Sequence, residues 1–263
     1  MSTPASLGPE AGSRPTRAPA ATPAADGAGA GLRGRVLDAL ATVYDPELDE
    51  PITSLRFVTS CQVTPEGDVD VVLRLPTPQC APNFAFLMAA DARRAARGVP
   101  GVRSVMVQLA DHYTGDEINA AMRSGQGFTG AFPGETDDDD LEALRGLFTR
   151  KALIARQARL CEQMLSDGAS RQEVVSATVA QLPTDSVDAN RVLELRVALG
   201  FSAAPDAPAF IQPNGEPVAL DHLSRWLRAG RLVRTGLEAN GGICRSLLAF
   251  RHNLDPETQE VGR

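Results

Sequence analysis

The stretch LRLPTPQCAPNFAFLMAAD, residues 73–91, places one cysteine between a run that reads as a strand and a run that reads as a helix. In that order Cys80 lies in the loop just ahead of a helix N-terminus, two residues before Pro82. Unpaired backbone N–H groups and the helix dipole favour an anion there, so a thiolate would be stabilised. Such a thiolate is a nucleophile or a ligand for a soft metal, and Pro76, Pro78 and Pro82 stiffen the loop that holds it. A second thiol, Cys244 in EANGGICRSLL, follows a glycine pair and is expected at the start of another helix, the same electrostatic setting. A turn is the ordinary meaning of a lone glycine pair. Cys61, on the apolar face of a strand, and Cys161, on a long helix, read as small buried hydrophobes. The Asp111–His112 pair follows a strand, and His252 near the C-terminus completes the borderline ligands, while His222 reads as an exposed helix start. No HxxxH or HxxE spacing sets two ligands on one face, so a structural role is the ordinary account of each histidine.

The elements that must position these groups follow from periodicity. Leu32, Val36, Leu40 and Val43 recur at helical spacing until Asp45-Pro46 ends the run. Leu55, Phe57, Thr59, Cys61 and Val63 alternate, TPEGD supplies a turn, and Val69, Val71, Leu73 and Leu75 alternate again, which predicts a hairpin. Phe84, Leu87, Met88, Ala92, Ala95 and Val99 share one helical face, Val105, Val107 and Leu109 alternate, and Thr114 with Glu117 has capping-box spacing. The expected fold class is therefore α+β: a small α-β-β-α-β-α sandwich over 31–130 behind a disordered Ala/Pro/Gly-rich tail at 1–30. Residues 131–200 read as a helical extension. Its acidic start is DDDD at 137–140, a helix stops at Asp167-Gly168, Ser170 and Glu173 form a second capping box ahead of a helix reaching Leu182, and another helix spans 187–199. Residues 201–263 read as a small C-terminal α/β module with a hairpin turn at Asn214-Gly215. Within it Arg225, Arg228, Arg231 and Arg234 recur every three residues, either a solvated face or a dock for an acidic partner.

A formal charge of −7 over 263 residues argues against a nucleic-acid surface, and 43% apolar content supplies a real core. The four cysteines never form CxxC, so neither a zinc ribbon nor a disulfide framework is signalled and reduced thiols in a cytosol fit best. No apolar run reaches membrane-spanning length and no signal peptide is visible, which makes a cytoplasmic protein the expectation.

Two motifs in order carry a resemblance. DPELDEPITSLRFV at 45–58, then a hairpin, then LPTPQCAP, resembles the SufT/PaaD-type (MIP-type) family of iron–sulfur cluster assembly factors. Asp45, Pro46 and Glu47 match the family's acidic DPE stretch, and Thr77, Pro78 and Cys80 match its T-P-x-C-P loop. Two departures stand out: the family's LGL strand start is Leu55-Arg56-Phe57 here, and Ala81 replaces the proline beside the cysteine. DHYTGDEIN and the extension through NGGICRSLLAFRHN are similar to longer proteins of this kind associated with soluble diiron monooxygenases of the propane monooxygenase type. The resemblance implies a maturation factor rather than a turnover enzyme. It would hold iron or an iron–sulfur cluster transiently through Cys80, with Asp45, Glu47, Thr77, Asp111 and His112 nearby, for a client metalloenzyme. Too few cysteines are available for a four-thiolate cluster in one chain, so a homodimer, the client or another ligand would complete it. The alternatives are a metal-independent folding scaffold for an oxygenase subunit, contacting it through the arginine face, and a thiol enzyme with Cys80 as nucleophile and His112 as base.

Overall fold

The computed structural model describes residues 25–139 and 141–251. The rest of the expected tail, Asp140 and His252 lie outside those residues. Helix α1 (Ala25–Leu40) begins inside the stretch expected to be tail, and buries Leu32, Val36 and Leu40 on the anticipated face. Strands β1 (Tyr44–Asp45) and β2 (Glu50–Pro51) pair antiparallel and close the turn between them. The expected hairpin is β3 (Val58–Val63) and β4 (Asp68–Arg74). Its turn needs Gly67: φ is +89°, and a Cβ there would stand 2.2 Å from the Gly101 carbonyl oxygen.

Helix α2 (Pro82–Arg97) then carries the chain to β5 (Ser104–Ala110), which pairs parallel with β4 and leaves β4 in the centre of a three-stranded sheet. Val69, Val71 and Leu73 of β4 and Val105, Val107 and Leu109 of β5 bury the sheet face on which α1 and α2 pack. Because the pairing is parallel, with Arg74 opposite Ala110, the segments that leave β4 and β5 emerge at one edge of the sheet. That edge holds both Cys80 and His112.

Helices α3 (Gly115–Ser124), α4 (Phe128–Ala131), α5 (Glu142–Ser166), α6 (Arg171–Ser176), α7 (Val187–Ala198) and α8 (Leu223–Arg251) follow. The described residues thus give a mixed α+β protein with a mostly helical second half. The Ser170–Glu173 box forms as expected. The helix it starts stops early: Ala177 turns extended, and a second reciprocal cap between Thr178 and Gln181 opens a short 3-10 turn over Val179–Gln181. The Asn214-Gly215 turn joins only a single bridge, Ile211 to Pro217, rather than two full strands.

Two hydrophobic clusters result. One runs from Leu32 to Leu141 and takes in Leu248; the other joins Ala152–Leu195 to Ala209–Leu227, across position 200. Helix α8 spans both. Its first part lays Leu223, Trp226 and Leu227 into the second cluster, and its last part lays Leu248 into the first. No helix among the described residues is long and apolar enough to cross a membrane.

Candidate functional site

The loop after β4 builds its own frame around Cys80. The Thr77 hydroxyl accepts from the Gln79 amide at 3.2 Å, an ST-turn, and lies 3.7 Å from the Cys80 sulfur. Ala81 is the cap residue of α2 and Pro82 its first residue, so Cys80 stands just outside the helix, half-buried. The segment after β5 clamps this loop by two bonds: the Tyr113 amide donates to the Pro78 carbonyl at 3.0 Å, and His112 Nε2 donates to the Cys80 carbonyl at 2.9 Å. The Thr114 amide donates to His112 Nδ1 at 3.2 Å, which leaves Nε2 carrying the proton in the neutral ring. Burial holds His112 below its ordinary pKa, the bond to Cys80 opposes that, and the Arg251 charge adds to it. Both ring nitrogens are therefore engaged in fixing the loop. The Thr114 hydroxyl also approaches Nδ1, at 3.1 Å. This replaces the expected Thr114–Glu117 capping box, which does not form because the hydroxyl is turned toward the histidine; α3 starts at Gly115 without it.

Asp111 ties the two strand ends together. Arg251 and Arg74 both hydrogen-bond its carboxylate, and in that order they hold its carboxyl below the usual range. Arg251 also donates to the Leu75 carbonyl, and to the Asp111 carbonyl at 3.0 Å, so the end of α8 is fastened to the base of both site loops.

The 45–50 turn is built from Asp45, which is only 8% exposed and accepts from the Glu47 and Leu48 amides at 2.8 and 2.9 Å. Burial pushes its carboxyl up to about 6 against the pull of those two amides. Glu47 meets Asn240 of α8 at 3.1 Å, and Glu50 meets Arg245 at 2.6 Å. Asp49, 3% exposed, bridges Arg156 of α5 and Arg191 of α7 at 2.8 Å each. Asp45 and Pro46 also line a cleft of about 730 Å³ among α1, α2, α5 and α7; Arg145 and Arg191 in its wall are paired with Asp91 and Asp49, and Cys80 is not part of it.

Cys244 departs from expectation. Gly241 and Gly242 lie inside a continuous α8 rather than in a turn, so this thiol is mid-helix and has no N-terminal dipole beside it. Its thiol is pushed up to about 11, chiefly by burial and then by the neighbouring Asp45, Cys80 and Glu47. It therefore lies within electrostatic reach of the loops that carry those residues. Cys61 and Cys161 are buried as expected, Cys61 raised and Cys161 pushed up to about 12, both mainly by burial. In the arginine row, Arg231 and Arg234 both bond Glu162 of α5, which stitches α8 down, while Arg225, Arg228 and Arg231 are exposed. The partners of Asp49, Asn240, Arg245 and Arg251 lie 107 to 195 residues away, and only the fold reveals them.

Comparison with known proteins bears on the segment that holds these loops. The model of the iron–sulfur cluster assembly protein family matches residues 33–109, which include the 45–50 turn and the Cys80 loop. An uncharacterized protein of Methanocaldococcus jannaschii is 32% identical over 88 residues, 34% of this chain and 90% of that one. The chain belongs to the iron–sulfur cluster assembly protein family. An iron–sulfur cluster carrier protein of Mycobacterium leprae is 36% identical over 80 residues, 30% of this chain, and this chain spans only 20% of that protein's length. The family match ends at Leu109, so His112, α5, α7 and α8 lie beyond the segment that defines the family.

Proposed function

We propose that this protein carries iron or an iron–sulfur cluster transiently on the Cys80 loop and delivers it to a client metalloenzyme, with a soluble diiron monooxygenase component as the client. The observation that carries the reading is the state of Cys80. It is half-buried rather than sealed, in the matched segment, on a loop framed by Thr77 and clamped through its carbonyl by His112. Cys61 of the same core is buried and cannot meet a partner. Soft thiolate suits iron–sulfur cargo, and one loop thiolate holds such cargo weakly enough to release it. The membership of the family and the similarity to the mycobacterial carrier protein support cluster handling. The acyl-transfer alternative has less support, because a base must reach the sulfur and His112 Nε2 is directed to the Cys80 carbonyl instead.

The test is iron and acid-labile sulfide in anaerobically purified protein, wild type against Cys80→Ala, together with iron occupancy of the oxygenase produced with either. Iron and sulfide in the wild type that fall away in the variant, with a matching loss in the client, are expected. Equal metal in both proteins and in the client rejects the reading, and a change in soluble client yield alone would favour the folding scaffold.

A further inference from the structure

Asn240, Cys244, Leu248 and Arg251 follow one another at intervals of four, four and three, which sets them on one face of α8. Every other member of that row touches the sheet domain. Asn240 bonds Glu47, Leu248 is 4% exposed in the first core, and Arg251 reaches the Leu75 carbonyl and Asp111. Arg245, next to the row, holds Glu50. The helix is thus pinned at the 45–50 turn on one side of Cys244 and at the base of the Cys80 loop on the other. Cys244 stands about 6 Å along the axis from each of its row neighbours. It packs half-buried against the same hydrophobic cluster as Cys80.

We infer that Cys244 is the second thiolate of the site, so that Cys80 and Cys244 together grip a soft divalent cation or one iron corner of a cluster between the β4–α2 loop and α8. This rests on the carrier reading above and adds to it a ligand from outside the family segment. Binding exchanges protons for metal: two neutral thiols and one divalent cation give a neutral dithiolate and two released protons. Among the described residues no three or more His, Cys, Asp or Glu are arranged to close around a metal ion. Two thiolates leave the remaining positions of a tetrahedral ion open to sulfide or to a ligand of the donor or acceptor, which suits cargo that must leave.

Cadmium is the probe, on the full chain under reducing, anaerobic conditions. Iodoacetamide labelling followed by peptide mapping of the wild type is expected to show Cys80 and Cys244 both protected by one equivalent of Cd²⁺, with Cys61 and Cys161 unaffected. The ultraviolet thiolate-to-cadmium absorption per bound ion should fall about twofold in Cys244→Ser, with at least a tenfold weaker dissociation constant. Protection of Cys80 alone, with Cys244→Ser binding like the wild type, overturns the inference and leaves the carrier reading standing. Protection of neither thiol overturns both. The mapping uses the wild-type chain, so it decides the matter even where the variant folds poorly.

Discussion

Asp45 holds two backbone amides with one oxygen while almost excluded from water, and the two demands oppose each other. Its native carboxyl titrates at about 6 against 3.8 for the free side chain, so between those values the native chain keeps a proton that the unfolded chain has lost. Stability from this group therefore falls as pH rises through that window, and above it the charged form costs about 3 kcal/mol. Asp45→Asn keeps the acceptor and removes the charge. Its stability relative to wild type, from urea unfolding, should improve by about 2 kcal/mol between pH 4.5 and 7.5; parallel curves for the two proteins would refute this. His112 acts in the opposite sense, because its depressed pKa means that stability is lost as pH falls below about 6.5, which is why the comparison must be made between variants. Arg56 offers a second test. It occupies the middle position where the family pattern has glycine, and it sits exposed at φ +57°, in the left-handed region that L side chains enter at a cost. Arg56→Gly should raise stability by about 1 kcal/mol, read as a higher urea midpoint; an unchanged or lower midpoint would show that the arginine side chain offsets the strain.

At the scale of elements, α8 is the least expected feature. A glycine pair reads locally as a break, yet Gly242 lies in a continuous helix with open space where its Cβ would be. Tertiary contacts on both sides hold it helical: Arg231 and Arg234 on Glu162 before it, Arg245 and Arg251 after it. Gly242→Ala should then stabilise the protein by about 1 kcal/mol and slow hydrogen exchange along α8, whereas a turn at this point would make the same change destabilising. Gly230 is the contrasting case. A Cβ there would lie 2.4 Å from the Ala158 Cβ, because α5 and α8 approach closely at that crossing. Gly230→Ala should cost about 1 to 3 kcal/mol by forcing the helices apart, measured by thermal or urea unfolding. The early end of α6 has the same kind of cause. Apolar spacing from Val174 to Leu182 supports a long helix, but the Ala177 carbonyl accepts from Ala209 and the Val179 amide donates to Ala207, so a neighbouring segment takes the backbone groups that a helix would use.

For the molecule as a whole, Asp49 joins the two halves. It is buried between Arg156 and Arg191, and Arg156 in turn bonds Asp188, so one carboxylate anchors the sheet domain to α5 and α7. Asp49→Ala leaves two largely buried guanidiniums short of a partner and should cost about 3 to 5 kcal/mol, seen as a lower urea midpoint; a cost under about 1 kcal/mol would show that Asp188 and Glu194 suffice. The local chain was enough to specify α1, the β3–β4 hairpin, α2, β5 and the position of Cys80 before a helix, because alternation, helical spacing and turn residues act over a few residues. It also supplied the two motifs from which cluster handling was inferred. It could not determine that β5 pairs parallel with β4 and so brings His112 to the Cys80 carbonyl, nor that α8 runs unbroken and fastens Asn240, Arg245 and Arg251 to the 45–50 turn and to the base of the Cys80 loop. Those outcomes depend on pairings between residues 32 to 195 positions apart, whose energy exists only once the chain has closed on itself.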